Sequence, residues 1–353
     1  MWVFRLIIAA LFVAMVEAYL TARYSLSRVS LERSFDTRHA ACGQEIHMIE
    51  RISNNKILPV PCLKVESRID RSLQFGRMQD LNVLDNMFHV SVFCLMPFTR
   101  IIRTHTVKCV KRGYYRLTGA FLTARSITGS VSLTGDIKTD AEVYVFPQLL
   151  QFHELNFPSH SWQGDMIVRR WILEDPFVRA GVREYTSSDP MKNINWKASA
   201  RSGILQVNRY EPTARHNLMI VLNVETSLDQ WSVTKEPERV EYGISVAATV
   251  FDYAFKNSLE AGFACNGYLK EKDKEYVHVS PAAGKNHETG IMECLARLVA
   301  DRSVTFHTLL DRELERHPCN TDYLLITAVV SEEMENKIRR LRNMGNAVEI
   351  LRI

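Results

Sequence analysis

The sequence predicts a multi-domain chain: an N-terminal membrane helix, then a β-sandwich-like domain, then an α/β domain. Three observations carry this. Leu6 to Val16 is an uninterrupted apolar run of eleven residues. Between Val29 and Pro147, apolar and polar residues alternate with period two and are broken by turn residues, the pattern of half-buried strands. After Arg215, continuous apolar strands alternate with amphipathic helical stretches, which implies a largely parallel sheet covered on both faces.

The first element, residues 1–22, is expected to be an uncleaved transmembrane anchor. The run from Trp2 to Leu20 can span only with Arg5 and Glu17 near the two interfaces, because a span needs about 20 apolar residues. A signal peptide with Arg5 as its basic region and cleavage near Val16-Glu17-Ala18 is the competing reading. Arg23, Arg28, Arg33 and Arg38 follow the span, against Arg5 and the α-amine before it, which places the body on the cytoplasmic side. Seven cysteines without a Cys-x-x-Cys pair agree with a reducing compartment.

Residues 29–147 form the predicted sandwich. Glu45 to Ile52, Val90 to Leu95 and Ala141 to Val145 alternate, and Ser53-Asn54-Asn55, Pro61, Gly113 and Thr134-Gly135-Asp136 supply turns. Residues 162–212 are a separate segment. Within it, the run from Gly181 to Gly203 mixes six charged side chains with Tyr185 and Trp196. Ser187 to Pro190 reads as a turn, and Asn195 to Arg201 as a short helix stopped by Gly203. This arrangement gathers Arg183, Glu184, Asp189, Lys197 and Arg201 around Trp196, either as a site or as a polar bracket between elements.

Residues 213–353 form the predicted α/β domain. Strands are expected over 216–224, 261–269, 322–330 and 347–353, with helices over 238–259 and 288–301. Gly284-Lys285-Asn286 reads as a turn. Ser331 caps a last helix, with Glu332 and Glu333 in its first turn and Lys337, Arg339, Arg340 and Arg342 toward its end, before Gly345 closes it.

Composition bounds the function. The chain has 353 residues, 46% of them hydrophobic and 24% charged, with a net charge of +4 from 44 basic and 40 acidic side chains. That balance makes no case for nucleic acid. His153-Glu154 lacks the second histidine of a zinc helix, Gly284-Lys285 lacks the rest of a P-loop, and no Gly-x-Ser-x-Gly is present.

Arg183-Glu184-Tyr185, then Ser188-Asp189, then Asn195 to Arg201 and Leu205 to Pro212 resemble the signature of the domain-of-unknown-function-58 family (DUF58). Lys111 to Leu117 and Val143 to Pro147 resemble its other landmarks, in the expected order, although Ser188 and Lys192 depart from its usual Gly and Arg. The resemblance implies that the α/β domain is von Willebrand factor A-like, a Rossmann-like fold that often holds a divalent metal on an Asp-x-Ser-x-Ser motif. The matching positions are Asn223, Glu225 and Ser227, with Thr327-Ala328 where another Asp is usual. A degenerate site that holds no metal is therefore expected, and no cofactor is implied. The resemblance also implies a partner, a MoxR-type AAA+ ATPase.

The resulting expectation is a membrane-anchored, non-enzymatic assembly or adaptor protein. One alternative is a metal-dependent hydrolase centred on Glu184, Asp189 and Lys197; another is an exported cell-envelope structural protein.

Overall fold

The computed structural model describes residues 2–76, 82–84, 88–151, 172–186, 191, 194–215, 217–227, 233–234, 236–318 and 320–353. The chain divides into two compact units, Met1–Gln148 and Leu149–Ile353.

The first unit begins with helix α1 (Trp2–Tyr24), whose 23 residues make it long and apolar enough to cross a membrane. Behind it, two sheets pack face to face. One has the order β1 (Val29–Phe35), β3 (Glu45–Asn54), β8 (Arg100–Cys109), β5 (Leu73–Phe75), and all its pairs are antiparallel. The other has the order β2 (His39–Ala41), β10 (Ser132–Phe146), β9 (Gly113–Arg125), β4 (Val60–Arg68), β7 (Phe88–Leu95), β6 (Asn82–Leu84). In it only β2 and β10 run parallel.

Alternation in the strands aims one set of side chains inward, but the interior is not apolar throughout. Ile46, Met48, Val107, Leu117 and Val143 belong to one cluster, and Leu31, Ile52, Val65, Phe93 and Leu122 to another. Between them lies a polar layer that the same alternation places inside: Arg33 between Leu31 and Phe35, Glu50 between Met48 and Ile52, Ser67 beyond Val65, with His89 and His105. Arg33 Nε donates to Glu50 Oε1 at 2.9 Å, its Nη1 donates to Ser67 Oγ, and His105 Nε2 lies 3.4 Å from Glu50 Oε2. The layer ties one sheet to the other, since Arg33, Glu50 and His105 stand on the first and Ser67 and His89 on the second.

In the second unit, β11 (Ile172–Glu184) and β12 (Gln206–Arg215) form an antiparallel ribbon, with helix α2 (Trp196–Ser202) in the connection between them. Next comes a five-stranded sheet in the order β16 (Val277–Ala282), β14 (Ala261–Cys265), β13 (Asn217–Leu222), β18 (Thr321–Thr327), β19 (Val348–Arg352). The last four strands are parallel. Met219, Val221, Tyr323 and Leu325 face helices α5 (Phe306–Glu315) and α6 (Glu332–Asn343). Leu222 and Ile326 face α3 (Pro237–Lys256), where a Cβ on Gly243 would come within 3.1 Å of Leu222 and 3.5 Å of Ile326. Helix α4 (Lys285–Arg297) packs beside α3.

The sheet departs from the sequence reading at its edge, because β16 is antiparallel to β14. Pro281 hid it: proline cannot complete a ladder and is found on edge strands. Helix α5 was not foreseen either. The expected strand over 261–269 ends at Cys265, and Tyr268–Leu269 (β15) pairs instead with Leu298–Val299 (β17). The expected Gly284-Lys285-Asn286 turn is the start of α4, with Gly284 at its cap. Ser331 does cap α6, its side chain accepting from Met334 N.

Candidate functional site

Two places collect the residues singled out in the sequence. The first is the connection between β11 and β12. Asn195 caps α2, its Oδ1 accepting from Ala198 N at 3.0 Å while its Nδ2 donates to Asn208 Oδ1 at 2.7 Å. Ser199, nearly buried, donates to Asn195 O at 2.8 Å and accepts from Gln206 N at 2.8 Å. Ile194 bridges to Val207, and both are buried. Gly203, at φ 74°, ends the helix in the left-handed region, with its N–H on Ser199 O.

This anchoring leaves Trp196 on the surface, 67% exposed. Asn195 and Ser199 bind α2 to the ribbon through hydrogen bonds and fix the helix by its other side, so the indole at the first helical position projects outward. Lys197 and Arg201 are exposed on the same helix, and Arg183 and Glu184 are exposed at the end of β11. Tyr185 is half-buried, and its N–H donates to Leu205 O at 2.9 Å. Asp189 lies outside the described residues, as do Ser187, Ser188, Pro190 and Lys192. Met191, Ile204 and Leu205 are exposed too, so apolar and basic groups share this surface. Asn195 and Ser199, which hold the segment together, were not among the residues picked from the sequence, although an Asn directly before a helical stretch is a capping signal.

The second place is the C-terminal end of β13, β14 and β18, where open α/β sheets bind ligands. Asn223, Glu225 and Thr327 meet there, joined by Asn266 and Arg302. Asn223 Oδ1 accepts from Glu225 N and from Asn266 Nδ2, both at 3.0 Å, and its Nδ2 donates to Thr327 Oγ1 at 3.0 Å. Asn266 Oδ1 accepts from Val224 N at 2.8 Å. The Glu225 carboxylate is buried, accepting from Phe306 N at 3.2 Å at the start of α5 and lying 3.4 Å from Arg302 Nη1. Helix N-terminus and guanidinium both neutralise it. Ser227 is half-buried at the edge of this group.

Asn223, Asn266 and Thr327 satisfy one another, whereas the buried Ser227 hydroxyl has no hydrogen-bond partner among the described residues. An aspartate at 223 would lose the donor that Thr327 receives, and Arg302 already supplies the positive charge that a cation would bring. Among the described residues, no group of three or more His, Cys, Asp or Glu side chains is placed to hold a metal ion. The donor set therefore does not fit the divalent ion that the resemblance associates with this position. Asn266 and Arg302 escaped the sequence reading; the only signal was the Asn266-Gly267 pair directly after an apolar strand.

A cleft of about 900 Å³ lies beside β16, lined among others by Glu271, Lys272, Asp273, Glu293, Cys294 and Arg297. Its one thiol is a poor nucleophile, because burial pushes Cys294 up to about 12.

The second unit is thus an α/β domain with an internally hydrogen-bonded strand-end cluster and an exposed aromatic-basic helix. Residues 181–352 match the family model described as "Protein of unknown function DUF58". The chain is also 23% identical over 226 residues to the uncharacterized protein YeaD of Bacillus subtilis strain 168, an alignment covering 64% of this chain and 53% of that protein. The chain thus spans about half the length of that relative. Among solved structures, the CARDB domain of a Pyrococcus furiosus protein is 14% identical, covering 31% of this chain and 93% of that one at a TM-score of 0.21. A non-cellulosomal cohesin from Archaeoglobus fulgidus is 13% identical, covering 34% and 91% at a TM-score of 0.24. Scores this low add nothing to the strand pairing described above.

Proposed function

We propose that this is a membrane-anchored, non-enzymatic assembly or adaptor protein that works with a MoxR-type AAA+ ATPase, docking it through α2. In this reading the second unit is a von Willebrand factor A-like, Rossmann-like domain whose metal position has been converted into a structural one. The observation that carries the proposal is the exposure of Trp196 beside Lys197 and Arg201. Interface centres are enriched in tryptophan and arginine, and Trp196 shares its surface with exposed Met191, Ile204 and Leu205, an apolar group of the kind that marks interaction sites. The strand-end cluster supports the same reading, since its charges are neutralised within the chain. The hydrolase alternative gains no support: Glu184 and Lys197 are exposed, and catalytic carboxylates act best where water is excluded.

Capture from detergent-solubilised membranes tests the proposal. The wild-type chain should retain an AAA+ ATPase, whereas Trp196→Ala and Arg201→Glu should lose it while melting at the wild-type temperature. Retention of the ATPase by both variants, or its absence from the wild-type capture, overturns the assignment.

A further inference from the structure

Four connections meet at the end of the sandwich where α1 enters: residues 25–28, 55–59, 96–99 and 126–131. Hydrogen bonds lock them together and onto the helix. Lys56 Nζ donates to Ser25 O at 2.6 Å and Ser27 O at 2.8 Å, just past the end of α1. Asn54 Nδ2 donates to Leu58 O and to Met96 O, both at 3.0 Å, and Phe98 N donates to Lys56 O at 3.3 Å. Ile127 N donates to Glu17 Oε1 at 3.0 Å, on α1 itself.

The tips of these loops are large, apolar and in water. Ile57 is 79% exposed, Met96 60%, Phe98 71% and Ile127 74%. None of the four connections contains an acidic residue, and exposed Arg23, Arg28, Arg100 and Arg125 flank them. Among the described residues, the opposite end of the sandwich differs: its turns mix Asp36, Asp70, Arg71, Lys111 and Arg112, with Val110 as the exposed large apolar side chain. Folding alone gives no reason for this asymmetry.

A second observation fixes the depth of the tips. Phe12, Val13, Val16 and Leu20 of α1 face Leu58, Pro59, Pro61 and Ile127 across an apolar groove of about 280 Å³. Phe12 to Val16 belong to the same apolar run that suits a bilayer, so the loop tips stand level with the helix's own lipid-compatible surface.

We propose that this end of the sandwich is a membrane-contact surface in its own right. Ile57, Phe98 and Ile127 insert into the interfacial zone of an anionic leaflet, the arginines meet lipid phosphates, and acyl chains of that leaflet fill the groove. The proposal rests on the reading of α1 as a span. It turns the anchor from a tether into a seat, because the Lys56 and Glu17 bonds fix the sandwich to the helix while the rim rests on the bilayer.

The test uses the full chain with its accessible native thiols replaced by serine. It is reconstituted into phosphatidylcholine vesicles with or without phosphatidylglycerol, and an environment-sensitive fluorophore is placed in turn at Ile57→Cys, Phe98→Cys, Ile127→Cys, Leu11→Cys and Lys111→Cys. The expected result is blue-shifted emission, quenched by spin-labelled lipid, at the three rim positions and at Leu11. The rim signals should strengthen with phosphatidylglycerol, and Lys111 should stay water-like. Quenching at Leu11 with water-like rim labels overturns the seat and leaves the span intact. Water-like emission at Leu11 as well overturns both. Rim labels that are shielded but not quenched by lipid, and that lose the shielding on dilution of the protein, assign the surface to a second copy of the chain and overturn the lipid proposal.

Discussion

Asn223 makes three hydrogen bonds at the strand ends, two as acceptor and one as donor. Asn223→Asp removes the donor to Thr327 and buries a carboxylate near Glu225, so denaturant unfolding should show a loss of about 1–3 kcal/mol. Magnesium titration of the wild-type protein should give no isotherm, because amide and hydroxyl oxygens replace the carboxylates that a hard cation prefers. The sandwich interior makes a second prediction at this scale. Burial alone would raise the Glu50 carboxyl, but the His105 hydrogen bond and the Arg33 charge outweigh it and hold the group at about 2. Burial also pushes His89 down to about 3. Both groups bind protons more weakly folded than unfolded, so stability falls as pH falls. The His89 contribution is lost between about 6.5 and about 3, and the Glu50 contribution between about 4.5 and about 2. Denaturation midpoints measured from neutral pH downward should therefore decline, and His89→Leu should flatten the decline above pH 4.5. Arg33→Ala should cost about 3–5 kcal/mol at neutral pH, since it strands a buried carboxylate.

At the scale of elements, α2 is too short to stand on helix propensity and depends on its cap. Asn195→Ala should cost about 1 kcal/mol and loosen the helix, read as faster amide exchange at Ala198. Edge strand β16 depends on a glycine: a Cβ at Gly262 would lie 2.7 Å from both Val279 O and Pro281 N, which are backbone atoms with little room to yield. Gly262→Ala should destabilise the second unit by about 1–3 kcal/mol, visible as a lower melting temperature. These elements also mark where sequence reading worked. The central strands β13, β14 and β18 carry apolar runs (Leu218–Leu222, Ala261–Cys265 and Tyr323–Ile326), and α6 has Ser331 before it and Gly345 after it, so each signal is local. Strand β16 was missed because Pro281 masks it, whereas helix α5 was legible and overlooked: Phe306, Leu309, Leu310 and Leu314 repeat at helical spacing behind a Thr305 cap.

At the scale of the whole molecule, α1 is long and apolar enough to cross a membrane, and the proposed anchor makes two predictions. Membrane fractions washed with alkaline carbonate should retain the full-length chain, because a spanning helix resists extraction that releases peripheral proteins. Loss of the chain into the wash, or a mature N-terminus beyond Val16, would refute the anchor. Impermeant labelling of Cys94, which is exposed, reports the side occupied by the sandwich. No labelling in intact cells and strong labelling after lysis is the expected pair of results.

The sequence by itself determined the order of the parts: an apolar N-terminal run, alternating strands, then apolar strands separated by helices. Those are periodicities, written in neighbouring residues. It also marked residues 181–203 and the degenerate positions Asn223, Glu225 and Ser227. Only the tertiary structure decided where those residues stand and what they touch. Whether Trp196 is a core anchor or a surface group depends on which face of α2 the hydrogen bonds of Asn195 and Ser199 hold against β12. Whether Asn223 is a failed metal ligand or a satisfied amide depends on Asn266, Thr327 and Arg302, up to 104 residues away. Side chains so distant in the chain leave no local pattern, and it is their convergence at one edge of a folded sheet that sets the charge and hydrogen bonding of the site.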